Sequence, residues 1–173
     1  NPIMKKVLYT ALAVLMLASC QQNKIGFVDT GKVINEYQKK VDIEAKYEAK
    51  NDVFKKKTDS VGQALQKEAQ AFQSKVSKMS QSKQQEAYQT LMHKRQQLQQ
   101  QFQSEQQQLT KAYQTEIDSV ISTVKDYIKN YGETNSYSYI LGTSDATSNV
   151  LYGADANDLT QTVLDGLNAE YNK

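Results

Sequence analysis

One hundred residues, from Lys32 to Tyr131, pass without a proline and with a single interior glycine, Gly62. Proline removes a helix donor and clashes with the preceding turn, and glycine weakens a helix through backbone entropy. A stretch this poor in both is free to be helical throughout. Its apolar residues recur at helical spacing. In the first half they are Tyr37, Val41, Tyr47, Phe54, Val61, Leu65, Ala69, Phe72, Val76 and Met79, with gaps of 4, 3, 4 and 3 from Leu65 onward, which is heptad spacing. In the second half they are Ala87, Leu91, Leu98, Phe102, Leu109, Tyr113, Ile117, Val120, Val124 and Ile128, a stripe with polar interruptions.

One straight helix of that length would span about 150 Å and leave its apolar stripe without a partner. A hairpin answers both objections. The stripe lapses between Met79 and Ala87, where Ser80-Gln81-Ser82-Lys83-Gln84 is polar. The turn is therefore expected near residues 79–86, joining two arms within residues 37–131. A single unbroken helix is the alternative.

Ahead of the arms, Met4-Lys5-Lys6 leads into the apolar run 7–18 and then Ser19-Cys20. Twelve residues of helix reach about 18 Å, too short for a bilayer core of about 30 Å. The pattern is that of a secretory leader starting at Met4. Leu17-Ala18-Ser19-Cys20 also resembles a bacterial lipobox, with Cys20 as the lipidated residue; an ordinary cleaved signal with an incidental cysteine is the alternative. Residues 1–19 read as a lipoprotein signal peptide and 20–24 as a polar tether.

The arms are flanked by different material. Ile25-Gly26-Phe27-Val28-Asp29 alternates like a strand, and Asp29 or Thr30 can cap the helix that follows. After Tyr131 come a loop (residues 132–136), a strand from Tyr137 to Gly142, turn residues 144–149 and a second strand, Val150-Leu151-Tyr152, which together predict a β-hairpin. Asp158 can cap a last helix carrying Leu159, Val163, Leu164, Leu167 and Tyr171 on one face. The fold class is α+β: a long helical hairpin (37–131) on a small β-rich base (25–36 and 132–173). Such a base has too little core to stand alone and leaves sheet edges open, so oligomerisation is expected.

Function classes narrow quickly. With the two lysines of the leader set aside, 19 basic residues face 19 acidic ones, which argues against a nucleic-acid binder. One Cys excludes an internal disulfide, and one His (His93) leaves no catalytic triad with spare parts and no His-pair metal site. No enzyme activity and no cofactor are expected. Charge is uneven, however. Residues 61–111 hold seven basic and three acidic groups, and residues 112–173 hold three and nine. The basic residues sit toward the arm ends: Lys67, Lys75, Lys78, Lys83, Lys94 and Arg95.

The order of strand, long hairpin, β-hairpin and final helix resembles the Skp/OmpH family of periplasmic chaperones. The matching points are Lys24-Ile25-Gly26-Phe27-Val28-Asp29, Tyr139-Ile140-Leu141, Val150-Leu151-Tyr152, and Asp158-Leu159-Thr160 followed by Val163-Leu164 and Leu167. The resemblance implies a homotrimer whose arms surround a cavity. That cavity holds unfolded outer-membrane proteins in the periplasm without ATP, here from a lipid anchor, expected in the outer membrane. A structural coiled-coil lipoprotein acting as an envelope spacer or tether is the rival reading. Residues expected to contact clients are Phe72, Val76, Met79, Leu91 and Phe102, with Lys75, Lys78, Lys83, Lys94 and Arg95. Residues expected at subunit contacts are Ile25, Phe27, Ile140, Val150, Leu159, Val163, Leu164 and Leu167.

Overall fold

A computed structural model describes residues 23–173. The leader, most of the tether and Cys20 lie outside the described residues. The elements run β1 (Ile25–Asp29), α1 (Thr30–Glu36), α2 (Gln38–Val76), α3 (Gln81–Thr134), β2 (Tyr139–Thr143), a single 3-10 turn (Asp155–Asn157) and α4 (Thr160–Tyr171). Two compact units result. One is a base of residues 23–33 and 125–167, and the other comprises residues 34–124 with 168–173.

In the base, β1 and β2 form a two-stranded parallel sheet in which Ile25 faces Tyr139 and Phe27 faces Leu141. Asp29 caps α1, its carboxylate accepting the Lys32 N–H at 2.9 Å. At the far end of the base, the Asp158 carboxylate accepts the Thr160 N–H at 2.9 Å and starts α4. The Leu159 N–H donates to the Phe27 carbonyl and the Asp29 N–H to the Thr160 hydroxyl, both at 2.9 Å, so α4 is laced to the strand. The sheet's inner face and the helices enclose Val28, Val33, Leu159, Val163, Leu164 and Leu167, all no more than 6% exposed.

The predicted β-hairpin does not form. Val150-Leu151-Tyr152 is not a strand, and Leu151 and Tyr152 are 92% and 89% exposed. β2 pairs instead with β1, because parallel pairing across the long helical crossover hides one face of both strands on the same core.

In the arm unit, α2 and α3 run antiparallel. The turn occupies residues 77–80, so the polar run expected to form it largely opens α3 instead. Gln84 explains the placement. Its side-chain amide donates to the Val76 and Met79 carbonyls at 2.8 and 2.9 Å, closing the end of α2 without glycine or proline. A second departure is at Tyr37, whose extended backbone (ψ 120°) separates α1 from α2 where one continuous helix was expected. The Gln38 N–H left free there is capped by the Asn168 side chain at 2.9 Å.

The apolar period also differs from a heptad. One series of less exposed positions holds Ile43, Phe54, Leu65 and Val76, then Ala87, Leu98, Leu109 and Val120. A second series holds Tyr47, Thr58 and Ala69, then Leu91, Phe102, Tyr113 and Val124. Each series advances by 11 residues, the second passing over exposed Ser80 at the turn, and both keep their phase through it. An 11-residue repeat takes three turns at about 3.67 residues each, so the stripe needs no left-handed supercoil. Val41, expected in the stripe, is 41% exposed; Ile43, outside the expected set, takes its place at 7%.

Candidate functional site

The arms are closed along their seam by rings and ion pairs. Tyr47 meets Tyr113 edge-on with centroids 5.3 Å apart, and Phe54 meets Phe102 at 6.1 Å. Three ion pairs bridge the arms: Lys46 with Glu116, Lys57 with Glu105 at 2.6 Å, and Glu68 with Lys94 at 2.6 Å. Lys94 and Glu105 occupy the two seven-residue intervals of the second-half stripe, 91–98 and 102–109. Half-exposed pairs of this kind fix geometry more than they stabilise. The Glu116 carboxylate also accepts the Tyr47 hydroxyl at 2.8 Å. Lys46 and then Tyr47 hold that carboxyl below the usual glutamate range. Burial, followed by the bond to Glu116, pushes the Tyr47 phenol up.

The candidate arm residues divide accordingly. Phe72 and Leu91 come together with Lys83 around a groove of about 360 Å³ near the turn. Val76 and Met79 are half-buried at the turn itself. Phe102 is committed to Phe54 and lies apart from the others. Lys94 is engaged by Glu68, whereas Lys75, Lys78, Lys83 and Arg95 are exposed on the surface. Two apolar side chains absent from the expected set are exposed near the arm end. Tyr88 and Met92 are 55% and 46% exposed on α3. One helical turn apart, they line a shallow groove with Arg95 and Gln99. Their signal in the sequence was being apolar just out of phase with the seam.

In the base, strand alternation decides which residues are offered. Ile25, Tyr139 and Leu141 share the outer sheet face at 45%, 64% and 45% exposure, with half-buried Phe27 among them. The Phe27 ring also abuts Gly153: a side chain there would place its first carbon 2.3 Å from the ring. The exposed Leu151 and Tyr152 therefore adjoin this face. The expected contact residues Leu159, Val163, Leu164 and Leu167 are instead core residues of the single chain, and Ile140 turns inward toward Gly132. Val150 is half-buried. A cavity of about 400 Å³ opens beside β2, floored by Val28, Ile128 and Ile140 and rimmed by Lys125, Lys129 and Glu133. Among the described residues no cluster of His, Cys, Asp or Glu is placed to hold a metal ion. No described helix is long and apolar enough to cross a membrane.

The chain belongs to the OmpH-like family: residues 24–167 match the family model described as outer membrane protein (OmpH-like). Residues 4–21, which include Cys20, match the prokaryotic membrane lipoprotein lipid attachment site. The two matches together mark an envelope-associated lipoprotein. The fold is also that of a crystal structure from Caulobacter crescentus, described as a candidate outer membrane chaperone (OmpH-like). That likeness has a TM-score of 0.73 at 18% identity, and covers 86% of this chain and 85% of the other. No curated protein sequence matches the chain.

Proposed function

We propose that this lipoprotein is an ATP-independent holdase that binds unfolded outer-membrane proteins in the periplasm and prevents their aggregation. The observation that carries this reading is the family match over residues 24–167. The arms supply chemistry suited to it. Tyr88 and Met92 offer adaptable apolar contacts outside the sealed seam, and Lys75, Lys78, Lys83 and Arg95 offer charge for encounter. Many weak, replaceable contacts let a client leave without an energy source. Cys20 anchors the protein to an envelope membrane, with the outer membrane as the assigned one. The exposed apolar sheet face of the base supports self-association, most simply as a homotrimer.

The continuous seam favours one competing reading, a rigid spacer that binds no client. Suppression of aggregation separates the two. The purified protein should keep an unfolded outer-membrane β-barrel soluble at low salt and form a defined complex with it. Absence of any such complex leaves the spacer reading in place.

A further inference from the structure

The 11-residue period leaves the pairing of α2 with α3 underdetermined by apolar contacts. Sliding one arm along the other by one repeat, about 16 Å, sets each member of a seam series against the next member of the same series. Every layer stays largely apolar. The polar turn region allows such a slip as well, since a hairpin displaced by one repeat would turn within residues 82–86, among the Ser, Lys and Gln residues there.

We propose that the reversed polarity of the third ion pair fixes the register of the arms. All three pairs follow the same 11-residue step: 46, 57 and 68 on α2 against 116, 105 and 94 on α3. The first two run Lys to Glu from α2 to α3, as Lys46–Glu116 and Lys57–Glu105. The third runs Glu to Lys, as Glu68–Lys94. A slip in one direction puts Glu68 opposite Glu105 and leaves Lys94 beside Met79. A slip in the other puts Lys57 opposite Lys94. Only the observed register satisfies all three pairs, whereas three pairs of one polarity would leave the first slip free of like-charge contacts. Flanking charges set orientation and register in paired helices generally, because like charges brought together oppose the wrong arrangement. Gln84 adds to the preference by tying the observed turn to the Val76 and Met79 carbonyls.

Disulfide trapping reads the register directly. In the chain carrying Cys20→Ser, the only thiols are those introduced. The pair Phe54→Cys/Phe102→Cys reports the observed register, in which these side chains touch. The pair Thr58→Cys/Tyr113→Cys reports the first slip, because it places residue 58 where Tyr47 sits against Tyr113. With native charges, only the 54/102 pair should oxidise within a chain. Glu68→Lys sets two lysines together in the observed register and a Lys–Glu contact in the slipped one, so the 58/113 product should rise several-fold. Adding Lys94→Glu restores three attractive pairs in the observed register while leaving the slip unopposed. The 58/113 product should then fall but stay above that of the native charges. High salt should shrink the differences. If both charge variants yield only the 54/102 product, residue size in the seam holds the register and the proposal is wrong. Loss of helix content in the doubly exchanged chain would overturn it equally, since the charges would then support folding rather than choose a register.

Discussion

The hydroxyl of Tyr47 on α2 and the carboxylate of Glu116 on α3 meet at 2.8 Å although 69 residues separate them. The bond needs a protonated phenol and an ionised carboxylate, so it has two pH limits. The Glu116 pKa is lowered in the fold, so its contribution is present above the ordinary carboxylate range and is lost as pH falls through the lowered value. The Tyr47 pKa is raised, so its contribution is present below the ordinary tyrosine value and is lost as pH rises through the raised one. Thermal melts of the arms followed by circular dichroism should show a plateau between these limits. Glu116→Gln should flatten the acid side, and Tyr47→Phe the alkaline side.

The base predicts a separation between folding and assembly. Leu167 is 1% exposed, so Leu167→Ala should cost roughly 2–5 kcal/mol and unfold the base. Leu151→Ser with Tyr152→Ser removes only exposed surface, so the fold should persist while the proposed oligomer dissociates. Sedimentation equilibrium tests this; a double variant that assembles like the native chain would place the interface elsewhere.

Backbone geometry predicts two effects of opposite sign. Ser136, just past α3, has φ 57°, in the left-handed region, where the Tyr137 N–H returns to the Gly132 carbonyl at 2.9 Å. Ser136→Gly should therefore stabilise the base, by up to about 1 kcal/mol. Gly166 lies inside α4, where alanine normally helps. Here a first side-chain carbon would fall 1.7 Å from the Tyr127 hydroxyl oxygen. Gly166→Ala should destabilise by roughly 1–3 kcal/mol instead, measured by urea unfolding.

Client handling should divide between the two exposed features of the arms. Tyr88→Ser with Met92→Ser should speed release of a bound, unfolded barrel without changing helix content. Lys75→Gln, Lys78→Gln and Lys83→Gln together should slow capture and reduce its salt dependence. Phe102→Ala, by contrast, should lower the melting temperature of the arms, because it removes the partner of Phe54. Stopped-flow binding at two salt concentrations distinguishes these cases.

Lipidation is tested at one atom. Cys20→Ser should yield a folded protein that no longer sediments with membranes, because no described helix can insert in place of the anchor. Retention of the variant in vesicles free of other proteins would contradict this.

Long proline-free helices, the strand at Ile25 and the cap at Asp158 were legible because each rests on local chemistry: missing breakers, alternation and a short polar side chain. The 11-residue repeat was also present in the sequence but hidden, because Thr58 and Ala69 occupy seam positions and Lys94, Glu105 and Glu116 fall where a heptad reader expects apolar residues. Ile140, expected at a subunit contact, lies on the inner face of β2 against Gly132. Ile140 is as apolar as Tyr139 and Leu141, and only pairing with β1 decides which of them turns inward. Val150-Leu151-Tyr152 has strand composition but pairs with no strand among the described residues, something no local pattern records.

The capping of α2 by Asn168 carries a consequence for the order of events in synthesis and export. The donor at Gln38 and its acceptor lie 130 residues apart, and Tyr171 binds Asp42 across 129. Translation and translocation deliver the start of the arm long before the groups that finish it. Until Asn168 and Tyr171 arrive, the first turn of α2 has an unsatisfied end, and a helix end in that condition frays. A chain halted midway thus exposes an arm that is open at its root, and completion of the arm signals that the final helix has emerged.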